Sequence, residues 1–561
     1  MRRLATAVLV LLLAGCSLPL PHGVRSDVNV PERDTGRSDI QVLPPAPRKG
    51  AQPKEIVQGF LGAQSSPQGR HAIARTYLDR SSATRWQGDE AVFYDPASLR
   101  VELTSSEPGA AVVETTFTVL GSRAVDGRYL SRRPGPFSET YGVTRGQDGQ
   151  WRISNPPLGL RLTPADRDRS FRPQRLYYVS PSPERFRRMV PDLVLLPVSE
   201  RDDEVALQRL LLPPSAALSG SVRSAFPAGT RLLSVSSDGG GLVRVDLSAE
   251  VARASVEDRQ LLSAQLVWTL RALDPTFQRL RLTAAGRLLQ VAGEGDVQMA
   301  TDWRAYDPES APGPLYFVAA GRVRTATSAG AQGAGPEALR DVVVADLAVS
   351  PDRTQLAVLQ PAANGQVTVR MGGTASPSHP VVLRRPDLTT PSFGSGEFGL
   401  WMADGTDQVL VARPSGPPLR VPVEGVHGPV SALAASRDGV RVALVSRGVL
   451  YVGRVARGST GLRVVHAVKV SPRLTGVTDV VWRDSTTLVA LGNLSGTFLP
   501  TQLSLDGASV QVLSPSGLPS QPMAAAAQPD GVVVTASGHL YLLSALGFRK
   551  GPVGSAPVYP G

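Results

Sequence analysis

The chain has 561 residues, 42% of them hydrophobic and 19% charged, with 55 glycines, 48 prolines and a net charge of +11. That length holds three or four domains of roughly 100 to 200 residues each; the apolar share excludes a disordered chain, and the turn formers exclude a long coiled coil and favour β structure. One cysteine excludes an intramolecular disulfide and any thiolate-clustered metal site, and the cations include only four lysines (Lys49, Lys54, Lys469, Lys550), an arginine bias of composition that makes no case for nucleic acid.

The cysteine's position explains it. Arg2 and Arg3 form a basic start, Leu4 to Leu13 an apolar run too short to span a bilayer, and Leu13-Ala14-Gly15-Cys16 places small residues directly before a cysteine. This pattern resembles the lipobox of bacterial lipoproteins. It implies a signal peptide over 1–15 and a Cys16 carrying S-diacylglycerol and an N-acyl chain such as palmitate, a stable anchor because each buried methylene contributes about 0.8 kcal/mol. Loss of Arg2 and Arg3, with no acid, lowers the net charge from +11 to +9. No later run is long enough to cross a bilayer; Val190 to Val198 is short and interrupted by Asp192 and prolines. The rest of the chain is therefore expected on the extracytoplasmic face of the cell membrane.

Residues 16–53 are rich in proline, arginine and serine and read as a flexible tether. From Pro53, Ile56, Val57, Phe60 and Leu61 fall at helical spacing, and Ile73, Ala74, Tyr77 and Leu78 predict a second helix ending at Asp79-Arg80-Ser81, with Trp86 beyond. From Val101 the period becomes two: Val112, Glu114, Thr116 and Thr118 alternate with Val113, Thr115, Phe117 and Val119. Tyr141-Gly142-Val143 and Trp151-Arg152-Ile153 continue as strands, with turns at Gly127 and Asp148-Gly149. Helices followed by a meander predict an α+β domain over 54–165, similar to a nuclear-transport-factor-2-like cone. The segment has no paired acid and histidine for catalysis.

A second α+β unit is predicted over 175–296. Tyr177-Tyr178-Val179 and Leu193 to Val198 read as strands, Val205 to Leu212 as a helix stopped by Pro213-Pro214, and Leu232 to Val235 and Leu242 to Leu247 as strands flanking the turn Asp238-Gly239-Gly240-Gly241. Ser255 with Asp258 fits a capping box, and Leu262, Leu266, Leu270 and Leu273, widened by Leu261, Ala264 and Trp268, give a helical stripe wide enough to pack on a sheet. Trp268 is accordingly read as core rather than as a partner anchor.

From about Val297 to the last residue, 561, the chain echoes itself. Tyr306-Asp307-Pro308, Ser350-Pro351-Asp352-Arg353, Pro391-Ser392-Phe393-Gly394, Ala435-Ser436-Arg437-Asp438-Gly439, Val481-Trp482-Arg483-Asp484 and Gln528-Pro529-Asp530-Gly531 recur every 41 to 47 residues, and strand-like runs follow most of them. Such a repeat predicts a β-propeller of about six four-stranded blades over 297–561. The aspartates at these turns are read as acceptors for backbone N–H groups, not as catalytic acids.

Chemistry is sparse. The six histidines (His22, His71, His379, His427, His466, His539) include no pair at i+2 to i+4, so no histidine metal motif is present, and neither a Gly-x-Ser-x-Gly elbow nor a Walker loop occurs. Asp238 to Gly241 lies between strands and reads as a hairpin turn rather than a phosphate nest. The sequence therefore offers no catalytic, cofactor-binding or metal-binding residue, and Cys16 is the only candidate for modification.

Several segments together resemble the actinobacterial lipoprotein family LpqB: Leu13 to Cys16, Glu55 to Leu61, Ala225-Phe226-Pro227-Ala228-Gly229-Thr230, Val245-Asp246-Leu247-Ser248, Ala264-Gln265-Leu266-Val267-Trp268-Thr269-Leu270 and the C-terminal repeat. The middle unit is similar to a GerMN (sporulation and germination) domain. The resemblance implies a non-enzymatic cell-surface accessory protein that binds the extracytoplasmic domain of the sensor histidine kinase MtrB and tunes MtrA–MtrB two-component signalling over envelope homeostasis and cell division. Beside it stands a cell-wall reading, in which the protein binds peptidoglycan or another glycan, and, ranked last, a propeller hydrolase.

Overall fold

The computed structural model describes residues 44–561 except 200, 310–311, 328–331, 363, 396–398, 406–407 and 459–460. The leader, Cys16 and most of the tether lie outside the described residues. The end of the tether does not: residues 44–52 form no helix or strand, yet Tyr77 donates its hydroxyl to the Pro45 carbonyl (2.8 Å) and the Gly50 N–H donates to Gln150 Oε1 (2.8 Å). From Pro44 the chain is packed on the first module.

The first helix, Pro53–Ala63, starts with proline at its first turn and with Glu55 accepting from the Gln52 N–H (2.8 Å). It buries the expected Ile56, Val57, Phe60 and Leu61. The second stretch corrects the sequence reading. Helix Gln68–Arg75 is broken by left-handed backbone at Gly69, Arg70 and His71, and Asp79-Arg80-Ser81 is a start rather than a stop, because Asp79 caps helix Arg80–Arg85 by accepting from the Ser82 N–H (2.7 Å). The helices and Trp86 share one core with a six-stranded sheet in which strand Ala110–Arg123 pairs along strand Tyr129–Arg145. The expected alternation holds, with Val113, Thr115, Phe117 and Val119 buried and their neighbours more exposed. Register shifts at Phe93/Tyr94, Leu103/Ser105 and Val119/Gly121 bend the sheet around that core.

The hairpin of Phe171–Val179 and Met189–Pro197 joins two cores: Phe171 and Leu195 pack into the first, Leu176 to Val179 and Val194 into the second. In the second module, strands Leu242–Leu247 and Arg279–Ala284 run parallel and are linked through helix Val256–Leu273, a βαβ crossover. Ser255 caps that helix, its hydroxyl accepting from the Asp258 N–H at 3.0 Å. Trp268 is 8% exposed and donates to the Trp303 carbonyl (3.2 Å), so it is a core residue. The Asp238 carboxylate accepts from the Gly240 and Leu242 N–H groups (2.9 and 3.1 Å), the turn expected between its strands.

The boundary at 297 falls too early. Strand Gln298–Met299 pairs with Arg279–Ala284, and Ala300 and Trp303 belong to the second core, so the chain leaves that module only after Tyr306. Tyr306-Asp307-Pro308 keeps the repeat's phase because the first propeller strand, Leu315–Ala319, follows it.

Among the described residues, six four-stranded antiparallel sheets follow. Their inner strands, Ser555–Val558, Asp346–Val349, Ser392–Phe393, Val430–Ala435, Leu474–Asp484 and Ala524–Gln528, contact one another in a closed ring. The ring closes because Ser555–Val558 pairs with Leu315–Ala319, so the chain's last strand is the inner strand of blade 1. The repeat's aspartates do serve the turns: Asp352, Asp438 and Asp484 accept from the backbone N–H of Thr354, Val440 and Thr486 (3.0, 2.9 and 2.8 Å).

Candidate functional site: the propeller channel and the face that closes it

The inner strands enclose a channel of about 340 Å³ with mainly apolar walls, among them Ala348, Leu433, Val480 and Ala526. Two carboxylates line it, Asp346 from blade 2 and Asp479 from blade 5. Three blades apart in a ring of six, they face each other across the channel, and the charge on Asp346 contributes to the raised pKa of Asp479. Burial pushes both carboxyls up to about 6. Their oxygens are committed to joining blades. Asp346 Oδ2 accepts from the Thr390 hydroxyl of blade 3 (2.7 Å) and Oδ1 from the Leu347 N–H (2.8 Å). Asp479 Oδ2 accepts from the Ala525 N–H of blade 6 (2.8 Å) and Oδ1 from the Val480 N–H (2.9 Å). Ser392 makes the equivalent link by accepting from the Ala435 N–H of blade 4 (3.0 Å).

The other end of the inner strands lies under the second module. Arg437 reaches from the blade 4 turn to the carbonyls of Arg483 in blade 5 and Ala527 in blade 6 (3.3 and 3.4 Å), and its guanidinium stands 3.6 Å from Glu309 Oε2. Glu309 in turn accepts from the Ser485 N–H at 2.7 Å. Burial lowers the Arg437 guanidinium and raises the Glu309 carboxyl. Beside them Arg441, 3% exposed, pairs with Asp438 (3.3 Å) and donates to the Pro191 carbonyl of the second module, where Val190, Leu218 and Val440 form a small apolar cluster. These contacts dock the second module on the turn face of the propeller.

Sequence reasoning missed both groups of residues. In the strand register Asp346 and Asp479 are equivalent, each three residues before the residue that pairs with Leu356 or Leu488, but they stand six and five residues before the turn aspartates Asp352 and Asp484, so the sequence hides the equivalence. Arg437, Arg441 and Glu309 carry no such signal, since they bond to segments far away in the chain: the Arg483 and Ala527 carbonyls, the Pro191 carbonyl and the Ser485 N–H. Among the described residues no three His, Cys, Asp or Glu side chains form a metal-holding group, and no helix is long and apolar enough to cross a membrane. His22 and Cys16 lie outside the described residues.

Comparison with known proteins gives the same three parts. The family model described as "Lipoprotein LpqB, N-terminal domain" matches residues 46–168, "Sporulation and spore germination" matches 175–290, and "Lipoprotein LpqB beta-propeller domain" matches 321–560. Relatives called "Lipoprotein LpqB" align along almost the whole chain: that of Streptomyces coelicolor is 29% identical, covering 98% of this chain and 96% of its own, and that of Mycobacterium tuberculosis 26% identical, covering 92% and 93%. Among solved structures, the first GerMN domain of the sporulation protein GerM from Bacillus subtilis covers 23% of this chain and 99% of its own, with 23% identity and a TM-score of 0.20; TolB from Acinetobacter baumannii covers 55% and 86%, with 12% identity and a TM-score of 0.36. Fold and comparisons define a multidomain lipoprotein with a GerMN-type module and a C-terminal β-propeller. From end to end the chain is similar to the LpqB lipoproteins, and it matches the models of both LpqB domains.

Proposed function

We propose that this protein is a lipid-anchored extracytoplasmic accessory protein that binds the extracytoplasmic domain of an MtrB-type sensor histidine kinase and modulates its two-component signalling, with no turnover of its own. The likeness to the LpqB lipoproteins carries the reading: three modules docked on one another present a broad surface, whereas the channel carboxylates are held in blade-to-blade hydrogen bonds rather than presented to a substrate. Anchoring through Cys16 brings that surface beside membrane-embedded partners. The test measures binding of the purified protein to the isolated extracytoplasmic kinase domain, with both held on one membrane surface, together with phosphorylation of the cognate regulator in a deletion strain. Saturable binding and altered phosphorylation are expected; the absence of both refutes the kinase partner. Cys16→Ala is expected to move the protein out of the membrane fraction, and retention after carbonate washing refutes the anchor.

A further inference from the structure

A second cavity, about 310 Å³, lies between the second module and the turn face of the propeller. The second module's side contributes Arg188 and Arg304; blades 2, 3 and 4 contribute Arg353, Ser395 and Arg437. Its three carboxylates are already engaged. Asp352 accepts from the Ser350 hydroxyl and the Thr354 N–H (2.6 and 3.0 Å), Asp307 from the Glu309 N–H (2.9 Å), and Glu309 from the Ser485 N–H (2.7 Å). The arginines are not matched in the same way: among the described residues, no carboxylate oxygen lies within 4.0 Å of the guanidinium nitrogens of Arg188, Arg304 or Arg353, and of Arg188 only Nη1 is engaged, donating to the Arg187 and Ala305 carbonyls (2.8 and 3.2 Å).

Two further features mark the cleft. Ser395 is 4% exposed, and its hydroxyl has no hydrogen-bond partner among the described residues. A buried hydroxyl without a partner is destabilising, and a ligand acceptor would offset that cost. Arg353 holds a left-handed backbone (φ 61°) at the turn position that blade 4 fills with Gly439 (φ 71°). Glycine adopts that conformation without strain, whereas a residue with a side chain is strained in it. An arginine stands at the rim of the cleft where the backbone favours glycine.

We propose that this cleft binds a small oxyanion, a phosphate or carboxylate group, held by Arg188 and Arg304 on one side and Arg353 on the other, with the Ser395 hydroxyl as a further donor. Guanidinium groups supply donors only, in a fork that matches two oxygens of one anion. Because the donors come from both sides of the boundary, the bound anion ties the second module to the propeller. This inference is independent of the kinase reading.

The test is differential scanning calorimetry of the purified protein titrated with inorganic phosphate, glycerol phosphate or malonate, at ionic strength matched with chloride. A ligand bound only by the folded state raises the transition temperature saturably. That rise is expected with phosphates, with malonate or with both, and the responding arm names the oxyanion. In the double variant Arg304→Gln, Arg353→Gln, which removes two exposed side chains, affinity is expected to fall about tenfold or more. Ser395→Ala weakens it less, and the control Arg132→Gln, on the exposed face of the first module, leaves it unchanged. The proposal is overturned if neither oxyanion acts beyond chloride, or if the double variant responds as the wild type does.

Discussion

The two ends of the propeller channel carry buried charge for different purposes. Towards the start of the inner strands, Asp346 and Asp479 each reach one blade onward and accept a hydrogen bond from it. At the turn end, Arg437 spans blades 4 to 6, and Arg441 leaves the propeller to reach the Pro191 carbonyl. The first pair is periodic, recurring in phase with the repeat, and belongs to the ring. The second is aperiodic: Arg437 ties three blades to the segment that enters the propeller, and Arg441 belongs to the junction between modules. A repeat thus builds its own closure from equivalent positions, while docking depends on residues that break the repeat.

The most severe way to break this division is to open the ring. Truncation before Ser555 removes the inner strand of blade 1, leaving the edges of blades 1, 2 and 6 unpaired or uncovered. Each blade buries its face on the next, so cooperative unfolding of the propeller, followed by calorimetry and near-ultraviolet circular dichroism, is expected to disappear. A truncated chain that keeps a sharp propeller transition would show that the ring does not need closure.

Breaking the junction is expected to cost less. Arg441→Ala leaves Asp438, itself 1% exposed, without its cation and removes the donor to Pro191. Loss of one partner of a buried pair costs about 3–5 kcal/mol, to be read from urea unfolding. If the junction is the site of damage, proteolysis between the second module and the propeller, near Tyr306, accelerates while the ring remains protected.

The channel carboxylates predict a pH dependence of known sign. Both carboxyls are pushed up to about 6 in the fold from 3.8, so between about pH 4 and 6 the folded state holds protons that the unfolded chain releases. Stability therefore falls as pH rises through that window, by about 2–3 kcal/mol for a single site shifted this far. Burial is the main cause at both positions, and the charge on Asp346 adds only a small further rise at Asp479. Asp479→Asn is expected to flatten this part of the stability profile relative to wild type. A variant whose profile runs parallel to wild type from pH 4 to 7 refutes an elevated pKa at Asp479.

Much of this was legible in the sequence because periodicity records burial. The 41-to-47-residue echo gave the blades, and the leucine stripe with Ser255 gave the long helix and its cap. What was not legible depended on contacts between distant segments. The helix start at Asp79 resembled a stop because aspartate suits both a turn and an N-cap. The module boundary reads early in the sequence because nothing in Gln298–Met299 reveals that it pairs back onto Arg279–Ala284. Arg353 reads as an ordinary turn residue until Arg188 and Arg304 are brought opposite it.

The smallest expected effect isolates one blade-to-blade link. Thr390→Val preserves side-chain shape but removes the hydroxyl that donates to Asp346 Oδ2 at 2.7 Å. That hydrogen bond favours the ionised carboxylate and offsets part of the burial that raises it, so its loss shifts the Asp346 carboxyl further upward. Above pH 7, where the carboxylate is charged in the wild type, the variant is expected to lose about 1–2 kcal/mol. Below pH 5 the carboxyl is protonated in both proteins, and the difference shrinks. Urea unfolding of the two proteins at several pH values separates the alternatives: a penalty that grows with pH assigns the bond to the charged carboxylate, whereas a constant penalty assigns it to packing between blades 2 and 3.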